Sequence, residues 1–221
     1  HKAVESIGMG LTMPAVYSND VGIRMMLNKG VPLSEALDWN PCGCVETNLS
    51  GRMHCYTSYA DYNLGSVVEF ALNNGRSRKY GVDASAKTGN PVEFETFEQF
   101  LEAVKDQIRY VIDAMVAGNH VNDDICMERV CPALSLSFKE CIEKAKDYAW
   151  GGPRYNVGNG LDAIGVADLI NSIAAVKHLV YDTKLLDMKT LVEALEHDFE
   201  GYERVREMCL ESPKYGNDEE E

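Results

Sequence analysis

No stretch of this sequence approaches the roughly 18 to 20 consecutive apolar residues that a membrane-spanning helix needs. Its first residues, His1-Lys2-Ala3-Val4-Glu5-Ser6, carry no secretory pattern. A membrane partner is therefore not expected, and the chain reads as a soluble, cytoplasmic protein. Positive charge is also scarce: 21 Lys and Arg stand against 35 Asp and Glu, a formal net charge of -14. That is the wrong sign for a phosphate-binding surface, so nucleic acid is not an expected partner. The one basic cluster, Arg76-Ser77-Arg78-Lys79, sits in a loop-like stretch and reads as solvated. Neither Gly-x-x-x-x-Gly-Lys-Ser/Thr nor Gly-x-Gly-x-x-Gly after a strand is present, which sets nucleotide binding aside. Paired Cys-x-x-Cys spacing is missing as well, and seven cysteines, an odd number dispersed over 221 residues, fit reduced thiols better than a disulfide framework. There is no internal repeat, and the only biased segment is the acidic end, Asn217-Asp218-Glu219-Glu220-Glu221. Starting at His1 and stopping in that tail, the chain reads as a fragment.

What is present is enough apolar sequence, 45% of residues, to bury one large core or two small ones. The chemically suggestive stretch is Asn40-Pro41-Cys42-Gly43-Cys44-Val45-Glu46-Thr47-Asn48. If this segment is extended, Cys44 and Glu46 point the same way, about 6.6 Å apart along the strand. A thiol there can be a nucleophile, a metal ligand or a hydrogen-atom donor, with the carboxylate moving a proton beside it. The plain alternative is a buried thiol next to a solvated acid, because free cysteine packs as a small hydrophobe. A second alternative is a metal site from Cys42, Cys44, His54 and Cys55, although its spacing is poor for zinc.

Along the chain, residues 12–17 read as a short strand, and Ser18-Asn19-Asp20 caps a helix that closes at Asn28-Lys29-Gly30. Pro32 opens another helical turn with Ser34 as its cap. From Asp61 to Asn74, Leu64, Val67, Val68, Ala71 and Leu72 recur at helical spacing and Gly75 supplies a stop. Residues 76–91 read as an exposed loop. Thr96-Phe97-Glu98-Gln99 is a capping box that opens a helix expected to end at Gly118. Ser135-Leu136-Ser137 resembles a short strand before a helix carrying Glu140 and Lys144, and Cys126, Cys131 and Cys141 read as buried structure. Three helices follow, over 166–180, 188–199 and 202–210. Alternating strand and helix signals make the class α/β, with helices more evident.

Four segments then stand in a recognisable order: Ser18-Asn19-Asp20, Gly43-Cys44-Val45-Glu46, Gly151-Gly152-Pro153-Arg154-Tyr155-Asn156 and Pro213-Lys214-Tyr215-Gly216-Asn217-Asp218. Together they resemble the glycyl radical enzymes, the family of pyruvate formate-lyase and of radical dehydratases, decarboxylases and other lyases. The resemblance covers nearly the whole chain. It implies a fragment, residues 1–221, of the cysteine-loop half of a pyruvate formate-lyase-like catalytic domain: part of an α/β barrel with surrounding helices, incomplete in this chain. The family's C-terminal Arg-Val-x-Gly-Tyr-like motif, whose glycine stores the radical, is absent here. What the resemblance implies for the site is Cys44 as a hydrogen-atom shuttle and Glu46 as its proton-moving companion, with no bound cofactor or metal. It also implies a small-molecule substrate, a radical SAM activating enzyme as partner and a homodimer at full length. Arg154, Asn156, His54 and Tyr56 are pocket candidates without an assigned role. Gly43 stands where the formate-lyase branch has a second cysteine, which favours elimination or decarboxylation over formate acetyltransferase-type C–C cleavage. A noncatalytic partner protein is the remaining alternative.

Overall fold

The computed structural model describes residues 1–221 except 12–14, 44–45, 55–58, 157–159 and 218–221. In chain order the elements are α1 (Lys2–Gly8), α2 (Asn19–Asn28), α3 (Leu33–Ala36), β1 (Asn40–Cys42), β2 (Glu46–Asn48), β3 (Met53–His54), β4 (Ala60–Asn63) and α4 (Leu64–Leu72). They continue with α5 (Phe97–Glu128), α6 (Pro132–Ser135), α7 (Lys139–Lys144), β5 (Tyr155–Asn156), β6 (Leu161–Ile164), α8 (Val166–Val176), α9 (Met188–Glu196) and α10 (Glu203–Glu211). The chain divides into two compact units, His1–Tyr59 with Val121–Gly160 and Ala60–His120 with Leu161–Glu221.

The first unit is built on a short helical lead-in to a hairpin. Ser18 caps α2 by accepting from the Val21 N–H at 3.5 Å. Met26 and Ala36, from α2 and α3, are buried with Val31, Leu49 and Met53 in one cluster, against which Ile23, Trp39 and Tyr155 pack. Gly22 lets the Trp39 indole lie on α2, since a Cβ there would stand 2.2 Å from the ring. β1 and β2 pair antiparallel, whereas β3 pairs parallel with β5, with Met53 opposite Tyr155 and His54 opposite Asn156. A second cluster joins Phe138, Cys141 and Tyr148. Burial pushes the Cys141 thiol up, as expected for a packing residue rather than a reactive one.

The second unit carries the larger core. All five apolar positions read from the α4 periodicity are buried, and four of them, Val67, Val68, Ala71 and Leu72, join Phe100, Ala103 and Val104 of α5 and residues of α8, α9 and α10 in one core. Burying a side chain such as Phe100 contributes roughly 1.5 to 3 kcal/mol. The Thr96 capping box closes reciprocally: the Gln99 N–H donates to Thr96 Oγ1 at 3.3 Å and the Thr96 N–H to Gln99 Oε1 at 3.2 Å. β4 and β6 form a four-residue parallel pair from Ala60↔Leu161 to Asn63↔Ile164. α8 continues into a π-helical turn, Lys177–Asp182. Beyond the Asn73 C-cap of α4, Asn74 and Gly75 are both left-handed, at φ +48° and +76°, and a Cβ on Gly75 would stand 2.2 Å from the Ala86 carbonyl oxygen. Both the left-handed backbone and the contact with main chain forbid a side chain, so Gly75→Ala should cost about 3 kcal/mol in chemical unfolding of the full-length protein.

Several expectations are corrected. Residues 61–63, read as the start of a helix, belong to β4, and the Asn63 side chain caps α4 instead by accepting from the Gly65 and Ser66 N–H groups. α5 does not stop at Gly118 but runs to Glu128, because one glycine inside a long amphipathic helix costs only about 1 kcal/mol. Ser135 ends helix α6 rather than starting a strand; Pro132 at the first helical position favours the helix. Ser34 lies inside α3, whose N-cap is Pro32. Of the strand expected over 12–17, residues 15–17 are irregular and the remainder lies outside the described residues.

Candidate active site

The cysteine segment is not one extended run. The chain reverses within it, so that Cys42 stands opposite Glu46, Pro41 opposite Thr47 and Asn40 opposite Asn48. Gly43, at φ +61°, makes the turn. Cys44 and Val45 lie outside the described residues, so the expected same-side placement of Cys44 and Glu46 falls there too. Directly opposed residues on an antiparallel pair share a face with Cβ atoms roughly 5 Å apart, which makes Cys42 the cross-strand neighbour of Glu46.

The Glu46 carboxylate folds over the turn. A Cβ on Gly43 would stand 2.6 Å from Glu46 Oε2 and 2.8 Å from Oε1. The positive φ favours glycine at position 43, and any larger residue would also have to displace the Glu46 carboxylate. The hairpin base is held by side chains. Asn40 Oδ1 accepts from the Ser50 N–H at 3.1 Å and the Ser50 hydroxyl at 3.0 Å, while Lys29 Nζ donates to the buried Thr47 Oγ1 at 3.2 Å.

The other candidates take mostly structural positions. The His54 ring makes edge contacts with Tyr148 and Phe138, centroids 4.7 and 6.0 Å away, and burial lowers its pKa despite the nearby Asp123 and Asp147 carboxylates. Asp147 organises the surrounding loops by accepting from the Cys131 and Ala149 N–H groups and the Ser135 hydroxyl. Burial alone would raise its pKa, yet those donors hold it below the usual value. Asn156 donates to the Pro153 carbonyl at 3.2 Å. Arg154 is engaged by carboxylates on two helices, Glu35 of α3 and Glu140 of α7. Tyr56 and Cys55 lie outside the described residues.

Neither Glu35 nor Glu140 was read from sequence as a site residue. Glu35 lies 119 residues from Arg154, a separation that no local pattern reports. The second unit has a cavity of about 350 Å³ among α4, α8, α9 and α10. Along it, the Tyr215 N–H of the Pro213–Asn217 segment donates to Asn171 Oδ1 at 2.8 Å.

The model of the pyruvate formate lyase-like family matches residues 1–221, the whole chain. The chain belongs to the pyruvate formate lyase-like family. It is 35% identical over 221 residues to the trans-4-hydroxy-L-proline dehydratase of Clostridioides difficile, covering 99% of this chain and 28% of that protein. Its structure superposes with a TM-score of 0.89 and 31% identity on the glycerol-bound B12-independent glycerol dehydratase of Clostridium butyricum, over 99% of this chain and 28% of that one. A glycyl radical enzyme from Archaeoglobus fulgidus matches with a TM-score of 0.79 and 32% identity over 91% of this chain and 25% of its own. This member of the family thus spans little more than a quarter of the length of these relatives.

The expected resemblance to the dehydratase and lyase side of the glycyl radical enzymes is borne out, as is the α/β class as part of that barrel-type fold. Among the described residues the strands form three two-stranded pieces and no closed barrel, in keeping with a partial fold. No described helix is long and apolar enough to cross a membrane.

Proposed function

We propose that the full-length protein containing this chain is a glycyl radical lyase that removes a leaving group, water or a comparable fragment, or carbon dioxide from a small organic substrate. The observation that carries this reading is the Gly43 turn: its φ of +61° is a left-handed backbone that a cysteine would adopt only with strain, so the residue before Cys44 is fitted to glycine rather than to a second cysteine. That supports elimination or decarboxylation over acyl transfer, which in the formate-lyase branch uses two adjacent cysteines. The relatives named as dehydratases support the same choice.

In the proposed chemistry Cys44 gives its thiol hydrogen atom to the glycyl radical stored outside residues 1–221 and becomes a thiyl radical. Cys44 next takes a hydrogen atom from a substrate carbon, restoring the S–H bond and leaving the unpaired electron on the substrate. Glu46 takes a proton from a substrate hydroxyl or carboxyl, or delivers one to the departing group. The product radical recovers its hydrogen from Cys44, and Cys44 recovers one from the glycine. The cycle is redox-neutral and consumes no external oxidant. A radical SAM activating enzyme installs the glycyl radical in this scheme, the full-length protein is a cytoplasmic homodimer, and the C-terminal glycine domain lies outside this chain.

The test is direct. The reading frame beyond Glu221 should encode an Arg-Val-x-Gly-Tyr-like motif, and anaerobic activation of the full-length protein should give a glycyl radical signal in electron paramagnetic resonance. A stop codon near Glu221, or stoichiometric zinc in place of any radical, would instead favour the partner-protein or the Cys42, Cys44, His54 and Cys55 metal reading.

A further inference from the structure

Arg154 sits in the middle of a charged network that ties together segments far apart in sequence. Its Nε donates to Glu140 Oε1 at 2.8 Å and its Nη2 approaches the same oxygen at 2.7 Å, while Nη1 donates to Glu35 Oε1 at 2.6 Å. The Glu140 side chain is only 9% exposed and that of Glu35 22%. The neighbouring residue adds a contact, for the Tyr155 hydroxyl donates to Glu35 Oε2 at 3.3 Å. Lys144, one turn beyond Glu140 on α7, donates to the Gly152 and Pro153 carbonyls at 2.9 and 3.2 Å. Two charged residues on one face of α7 therefore hold the segment from Gly152 to Arg154. Gly152 itself is pinned, because a Cβ there would stand 2.5 Å from both Cys141 Sγ and the Lys146 carbonyl.

The other end of the network brackets the cysteine hairpin. Glu35 stands in α3, which leads into β1, and Arg52 stands just after β2 and before β3. Arg52 Nη1 reaches Glu35 Oε2 at 4.0 Å and its Nη2 donates to Asp38 Oδ2 at 3.0 Å. The residues immediately before and after the hairpin are thus joined to each other and, through Glu35, to Arg154.

We propose that Arg154 is a positioning residue that sets the β1–β2 hairpin against strand β5 through the Glu35–Arg154–Glu140 bridge, a role that rests on the reading of this hairpin as the radical-carrying loop. The guanidinium suits this task because its rigid fork serves two carboxylates at once, whereas an ammonium on a flexible stem is a point charge. Hydrogen-atom transfer needs close approach, and a displacement of about 1 Å in a reacting group costs on the order of 10²-fold in rate.

The experiment uses the full-length protein activated anaerobically, with turnover normalised to the glycyl radical content of each sample. Arg154→Lys and the near-isosteric Glu35→Gln are each expected to lower kcat per radical by about 10- to 100-fold, with KM changed less than threefold. The double variant is expected to lose no more than the worse single one, because both changes open the same bridge. A residue that merely stabilises the fold would lower melting temperature and radical yield while leaving turnover per radical intact. Turnover per radical within twofold of the parent in Glu35→Gln and Arg154→Lys, or fully multiplicative losses in the double variant, overturns the positioning role alone. Absence of any glycyl radical in the activated parent overturns the functional reading and this role with it.

Discussion

Replacing Cys44 by alanine is expected to abolish turnover of the full-length protein while leaving the glycyl radical signal at the parent level. The two readouts separate because the thiol lies between the stored radical and the substrate in the proposed sequence, and plays no part in installing the radical. A nucleophilic Cys44 would give the same two readouts, so the exchange of solvent deuterium into the glycyl radical is what separates it from a hydrogen-atom shuttle. Retained turnover in Cys44→Ala would remove it from the mechanism. The substitution should be tolerated structurally, because alanine keeps the Cβ and drops only the sulfur atom.

Glu46→Gln is the second large effect. The substitution preserves shape and hydrogen-bonding reach but removes the proton acceptor, and general acid–base groups typically contribute about 10² to 10⁴ in rate. Elimination should fall by that factor, while hydrogen exchange between solvent and substrate carbon continues through Cys44. The persistence of exchange matters, because it assigns the loss to the proton step rather than to collapse of the hairpin. Glu46 lies against Gly43 and faces Cys42, so a neutral amide fits the same space. Full activity in Glu46→Gln would show that another group moves the proton.

The local signals in the sequence were the dependable ones. The Thr96 capping box, the buried face of α4 and the Gly75 stop each depend on residues within a turn or two, and each appears where expected. Short strands were not legible. β3 and β5 are two residues each, and β4 and β6 only four, too few to establish an alternating pattern, so Asp61–Asn63 were absorbed into the stronger helical period of α4. Reading 40–48 as extended missed the reversal at Gly43 and with it the pairing of Cys42 with Glu46. The charged bridge was invisible for a different reason. Glu35, Glu140 and Arg154 are unremarkable in their own neighbourhoods and become a unit only through tertiary pairing.

The central claim, that Cys44 exchanges hydrogen atoms with the stored glycyl radical, can be tested without knowing the substrate. A thiol equilibrates its hydrogen with solvent, so in D2O reversible transfer through Cys44 carries deuterium to the glycine α-carbon. The account predicts that the α-hydrogen splitting of the glycyl radical signal collapses in D2O for the activated parent and persists in Cys44→Ala. The same behaviour in both proteins would contradict it.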